Sequence, residues 1–187
     1  MAIDIPLLIN QHREALECVA LMQDEILQAV ALLEQTLAAG NTVYICGNGG
    51  SASDAQHFAA ELTGRFERDR PGYAAVALTT DCSALTSIGN DYGFEHVFSR
   101  QLSALTREGD LLIGLSTSGN SANVIKAVEL AQQRGVKSIA LLGKDGGQLK
   151  GQVDVALTIG VQRTARIQEM HILLLHMFCE PFERIDS

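Results

Sequence analysis

His57 and Glu61 stand four residues apart in "GSASDAQHFAAELTGR", residues 50–65. On a helix this spacing puts imidazole and carboxylate on one face, within mutual reach. Such a pair suits a plain helix ion pair, a share in a metal site, or proton transfer beside a bound substrate. By itself the pair favours the ion pair. Its surroundings argue for more, because it directly follows "CGNGGS" (46–51), a glycine loop that opens the same helix. Glycines permit positive φ and close backbone approach, and a helix N-terminus offers unpaired N–H groups with partial positive charge. A second loop, "STSGNS" (116–121), repeats the logic with four hydroxyl residues, Ser116, Thr117, Ser118 and Ser121, around one glycine. Ordinary N-capping needs one hydroxyl, whereas four can donate to phosphate oxygens without adding charge. Neither loop is GxGxxG or GxxxxGK[ST], so the ligand expected is a phosphorylated small molecule rather than a nucleotide. Two more histidines, His171 and His176, lie in "RIQEMHILLLH" (166–176), an otherwise apolar helix.

The elements that must hold these residues can be read from the period of the apolar positions. Ile26, Val30, Leu33 and Leu37 recur at helical spacing, and the chain up to about residue 39 reads as two helices closed by Gly40-Asn41. Short apolar runs follow at 42–46, 74–78, 110–116, 137–143 and 153–159. Their nearly unbroken hydrophobicity suits strands covered on both faces. Helical stretches at 52–63, roughly 82–105, 122–134 and 164–182 separate most of them. This alternation predicts a parallel sheet with helices on both faces, in which ligands bind past the carboxyl ends of the strands.

With 187 residues and no linker or repeat, the chain (1–187) reads as a single domain carrying an N-terminal helical extension, 1–39. That extension is more apolar than a solvated arm, and either packing on its own sheet or subunit contact would explain it. The net charge of −8 argues against unaided nucleic-acid binding. Four widely spaced cysteines with no CxxC pair favour a reduced, cytoplasmic protein. The N-terminus does not read as a signal peptide, and no segment approaches the roughly 20 apolar residues of a membrane helix.

Taken in order, "CGNGGS", "HFAAELTGR", "GNDYGF", "STSGNS", "GKDGG" and "RIQEMH" resemble the sugar-isomerase (SIS) domains, and among them the bacterial phosphoheptose isomerases. The likeness runs from about residue 40 to 180, and the N-terminal helices also fit. It implies a three-layer α/β sandwich with a five-stranded parallel sheet of flavodoxin-like type, assembled as a homotetramer with sites near subunit boundaries. The implied reaction interconverts sedoheptulose 7-phosphate, a phosphorylated ketose, with the aldose D-glycero-D-manno-heptose 7-phosphate, towards lipopolysaccharide core. By matching motif, substrate would meet Asn48, Gly49, Gly50 and Ser51, then Asn90 and Asp91, then Ser116, Thr117, Ser118 and Ser121, with Gln168 and Glu61 beside them. Arg65 would add a cation, to its own or a neighbouring subunit's site. Glu61 and His176 match the family's acid-base pair, and His57, Glu61, Gln168 and His176 its Zn2+ ligands.

Two features depart from a simple transfer. Gln168 and His176 are eight residues apart, a rise of about 12 Å along a helix, and a glutamine amide is an unusual zinc ligand. Residue 165 is Ala, where some members of the family carry an acid. Other readings share the fold. Certain relatives are adaptors that bind the replication initiator protein, but they lack the glutamate and histidine kept here as Glu61 and His176. A phosphosugar-sensing module would normally come joined to a DNA-binding domain, and an isomerase of another sugar phosphate would look alike in sequence.

Overall fold

The computed structural model describes residues 3–183. Two N-terminal helices come first, α1 (Ile5–Ala20) and α2 (Gln23–Ala38). Asp4 caps α1 by accepting from the Leu7 amide at 3.0 Å, and Gly40, at φ +76°, turns the chain out of α2. From there strands and helices alternate: β1 (Val43–Gly47), α3 (Gly50–Thr63), β2 (Ala75–Ala77), α4 (Cys82–Tyr92), α5 (Val97–Leu105), β3 (Leu111–Ser116), α6 (Ala122–Gln133), β4 (Lys137–Gly143), β5 (Val155–Ile159) and α7 (Thr164–Cys179). Short 3-10 turns occupy Phe94–His96, Leu149–Gly151 and Glu180–Glu183.

All strand pairings are parallel, in the order β2-β1-β3-β4-β5. The central strands β1 and β3 are buried along their whole length, which is why their sequences are unbroken apolar runs. The sheet separates two cores. One face is covered by α1, α2, α3 and α7 through Leu33, Phe58, Leu62, Leu174 and Phe178. The other is covered by α5 and α6 through Phe98, Leu102, Val124 and Val128. The three-layer sandwich expected from the sequence is present.

The boundaries differ in instructive places. The stretch expected as one helix over 82–105 is two, because Gly93 adopts φ +93° and a 3-10 turn intervenes. The last helix stops at Cys179, ahead of a turn containing Pro181. All four cysteines are free. No described helix is long and apolar enough to cross a membrane.

The strand order places the crevice. The chain leaves β1 through α3 towards one edge of the sheet, and leaves β3 through α6 towards the other. The loops after these adjacent strands therefore diverge at a topological switch point, where open α/β sheets bind ligands.

Candidate functional site

Both expected anion loops lie at this switch point. Asn48 and Asn123 join them: the Asn48 Nδ2 donates to Asn123 Oδ1 at 2.9 Å, and the Asn123 Nδ2 donates back to Asn48 Oδ1 at 2.8 Å. Asn123 is buried in the first turn of α6. Its role escaped the sequence, where it read as one more polar residue after a serine cluster.

The helix N-termini behind the loops are bare of side-chain caps. Gly49 at the N-cap of α3 has φ +57° and no side chain to offer. Ser121 stands at the N-cap of α6, yet its hydroxyl bonds Ser116 Oγ at 2.8 Å rather than a helix amide. Elsewhere in the fold, Asp4 and Asp81 do cap their helices. The hydroxyl loop thus leaves the α6 N-terminus free to meet an anion, which ordinary capping would not do.

"GKDGG" explains how the second loop keeps its shape. Leu149 N donates to Gly119 O at 3.1 Å, Gln148 N to Asn120 Oδ1 at 3.1 Å, and Asn120 Nδ2 to Ser118 O at 3.0 Å. Gly119, at φ +67°, lies so close to the Gly146 carbonyl that a methyl group there would collide with its oxygen. The loop after β4 therefore braces the loop after β3, backbone against backbone. Beyond the first loop a cavity of about 140 Å³ is lined by Asn48, Gly49, Thr79, Leu85 and Phe94 among others. Asn90 and Asp91 lie on α4 between the lining residues Leu85 and Phe94, exposed and joined by a 2.8 Å hydrogen bond.

His57, Glu61 and His176 converge where α3 and α7 pack. His57 Nε2 lies 2.9 Å from Glu61 Oε1, confirming the i, i+4 pair. His176 reaches them from α7, its ring centroid 5.1 Å from that of His57 and 5.6 Å from that of Phe66. The ligand atoms of His57, Glu61 and His176 all fall within 4.8 Å of one another. Two imidazoles and a carboxylate at this spacing match the donor set of a three-ligand catalytic zinc site, with a position left open. Their side chains are partly exposed, Glu61 at 20% and His57 at 46%, so the cluster opens to the surface.

Gln168 takes a different position. Its amide lies against Gly50, where an added Cβ would stand 2.6 Å from Nε2. Gln168 and Gly50 form one contact layer between α7 and α3, and His176 and His57 another, eight and seven residues further along. Arg65, just past the end of α3, is exposed and donates to Glu67 O at 3.1 Å. Arg166 and Glu169 of "RIQEMH" hold α1: Glu169 meets His12 and Arg166 at 2.7 Å each, and Arg166 donates to Leu8 O.

Asp54 was not singled out by sequence, whereas His171 stood out there as a histidine on an otherwise apolar helix. Asp54, between the loop and His57 on α3, has its Oδ2 buried with no partner among the described residues. Burial pushes this carboxyl above its ordinary value, against the pull of His57. His171 is wholly buried, its Nε2 3.0 Å from Leu142 O, and desolvation holds it down to about 4. Cys179 is also buried, with its thiol pushed up to about 12, chiefly by desolvation.

Comparison with known proteins adds independent findings. Residues 9–143 match the SIS domain family model. A phosphoheptose isomerase of Helicobacter pylori (strain P12) is 54% identical over 174 residues, covering 92% of this chain and 91% of that one. The solved phosphoheptose isomerase of Neisseria gonorrhoeae is similar at TM-score 0.89 and 50% identity, over 96% of both chains. That of Francisella tularensis gives TM-score 0.89 at 37% identity, over 94% of this chain and 93% of that one.

Proposed function

The chain belongs to the SIS-domain family, within it to the phosphoheptose isomerases, and we propose that it interconverts sedoheptulose 7-phosphate and D-glycero-D-manno-heptose 7-phosphate in the cytoplasm, for lipopolysaccharide core. Each relative compared carries the name of an enzyme, which supports an isomerase over an adaptor. The observation that carries the reading is the convergence of His57, Glu61 and His176 on the two helices that start beside the crevice.

The phosphate enters the crevice, where the free N–H groups of α3 and α6 and the hydroxyls of Ser116, Thr117, Ser118 and Ser121 neutralise it through hydrogen bonds. Gly49 and Gly50 permit close approach, Ser51 lies in the first turn of α3, and Asn48, Asn90 and Asp91 meet sugar hydroxyls. On the open-chain ketose, Glu61 removes the C1 proton and returns it at C2, passing through a cis-enediol. Without a metal, His57 orients the carboxylate by donating Nε2–H to it. His176 moves the second proton between the two oxygens.

His57, Glu61 and His176 would hold Zn2+, which supplies Lewis-acid polarisation of a carbonyl when bound. Gln168 cannot join them from the same subunit, since a zinc ligand sits about 2 Å from the metal and Gln168 lies about 12 Å up the helix from His176. Gln168, with the crevice it borders, serves the cluster of a neighbouring copy instead, and Arg65 reaches across the same boundary. The second copy this requires, in the homotetramer that the family resemblance implies, is supported by apolar side chains that the N-terminal helices leave exposed, including Ile5, Ile9, Leu16 and Leu27.

The test is turnover of sedoheptulose 7-phosphate by the purified protein, with an aldose product expected. Glu61→Gln should abolish conversion while leaving substrate binding largely intact. Normal turnover by that variant would remove Glu61 from its role.

A further inference from the structure

Beyond the acid-base cluster, the segment "ERDRPGY" (67–73) and the C-terminal turn hold a charged pair that no step of the reaction uses. Arg70 and Glu183 meet at 3.3 Å with side chains only 10% and 8% exposed. The guanidinium has a second set of partners. Its Nη2 donates to Glu61 O at 2.8 Å and its Nη1 to Leu62 O at 3.1 Å. These are terminal carbonyls of α3, which have no acceptor role left within the helix. Glu183 is tied in turn: its Oε2 accepts from Arg68 N at 2.6 Å, and its carbonyl from Arg68 Nη1 at 3.0 Å. Tyr73 underlies the Arg70 guanidinium at 4.9 Å and packs its ring 4.8 Å from that of Phe182.

The topology gives this network its meaning. Glu61 sits in the last turn of α3, and His176 in the last turn of α7, whose chain runs on into the turn bearing Glu183. Besides the layers at Gln168 and His176, the two helices meet through apolar side chains such as Phe58 and Phe178, which tolerate small slides. A buried ion pair adds little net stability over an apolar replacement of the same shape, but it does impose one geometry. Here one of its arms ends on the backbone carbonyl of Glu61 itself.

We infer that Arg70 and Glu183 form a positioning clamp that sets Glu61 against His176 by locking the ends of α3 and α7 together. The clamp touches no substrate and acts through Glu61. The inference rests on the isomerase reading, since it concerns the same acid-base pair.

Glu183→Ala and Arg70→Ala, made in the full chain, should lower kcat about tenfold or more, because sub-ångström misplacement of reacting groups is costly. KM should stay within about twofold, because the crevice lies at the opposite end of α3. Glu183→Gln, which keeps one of the two accepting oxygens and removes the charge, should recover part of the loss and serves where an alanine variant does not fold. A second readout needs no turnover: in histidine-labelled protein, the imidazole signals of His57 and His176 should shift or broaden in Glu183→Gln while that of His171 stays. A wild-type kcat in folded Glu183→Gln with unmoved histidine signals overturns the clamp. So does a kcat loss in the alanine variants that only follows the fraction of folded protein. If the wild type leaves sedoheptulose 7-phosphate unchanged, the isomerase reading fails, and displaced His57 and His176 signals still establish the clamp.

Discussion

Acidification should loosen this protein through His171. The imidazole is 0% exposed, its Nε2–H is spent on Leu142 O, and its Nδ1 has no partner among the described residues. Protonation would bury an N–H and a charge with nothing to receive them. The fold therefore favours the neutral ring and lowers its value from the ordinary 6.5 to about 4. Between those values the unfolded chain binds more protons than the folded one, so stability rises with pH across that window. The contribution is complete above pH 6.5 and is lost as pH falls towards 4. At 1.36 kcal/mol per unit, the whole shift corresponds to about 3 kcal/mol, a large share of the 5–15 kcal/mol that typically holds a domain folded. The assay is urea unfolding at steps from pH 7 to pH 4, on the wild type and on His171→Leu. The variant should start lower at pH 7, having lost the bond to Leu142, but its midpoint should fall less steeply with acid. A direct check is the NMR titration of the His171 ring. A ring that titrates near 6.5, or equal acid slopes for both proteins, would refute the argument. The consequence reaches the site, because the same contact pins the helix that carries His176 to β4, whose following loop braces the hydroxyl loop.

The remaining expectations concern the crevice and the cluster. Asn123→Leu removes one half of the amide pair and strands Asn48, at a cost of about 1–3 kcal/mol, and should raise KM for sedoheptulose 7-phosphate about tenfold with a smaller effect on kcat. An unchanged KM would show that the two loops hold their spacing without it. Gly119→Ala should weaken phosphate binding, measured by calorimetry with inorganic phosphate, because the left-handed backbone costs about 1–2 kcal/mol and the methyl meets Gly146. Wild-type affinity in that variant would count against the brace from the loop after β4. Dialysis against a chelator should remove equimolar zinc and lower the rate, and His57→Ala should fail to retain the metal. Metal-free wild-type protein with an undiminished rate would exclude a catalytic ion. Glu61→Gln mixed with Asn123→Leu and reassembled should regain turnover at the wild-type KM if crevice and cluster come from different subunits, and should show only the raised KM of Asn123→Leu if each site lies within one chain.

Much of the fold was legible because each element carries its own local signal. The run "KSIALLG" coincides with β4, and the other strands lie within two residues of their expected ends. Gly93 escaped because the apolar period continues on both sides of it, and only its positive φ separates α4 from α5. The i, i+4 pair of His57 and Glu61 was equally legible, since helix geometry alone brings it together. What joins His176 to that pair is different in kind. It depends on α3 and α7 descending side by side on the same face of the sheet, from the carboxyl ends of β1 and β5, which the topology decides and no local pattern reveals. Asn123 and Arg70 were missed for the same reason, their partners lying 75 and 113 residues away.

Gln168 shows how the two kinds of information limit each other. Motif resemblance groups it with His57, Glu61 and His176 as though four ligands shared one centre. Helix geometry separates it from His176 by two turns, and the structure gives it a neighbour of its own in Gly50. Both statements hold if the motif describes a site that one chain does not complete. A crevice at the head of the α3–α7 pair and a cluster near its foot then belong to different subunits. That arrangement also accounts for a cluster left open to the surface and for apolar side chains exposed on the N-terminal helices. Turnover at the wild-type KM by the reassembled mixture of the two variants is where this reasoning meets measurement, since only a split site can make two defective subunits into one fully working centre.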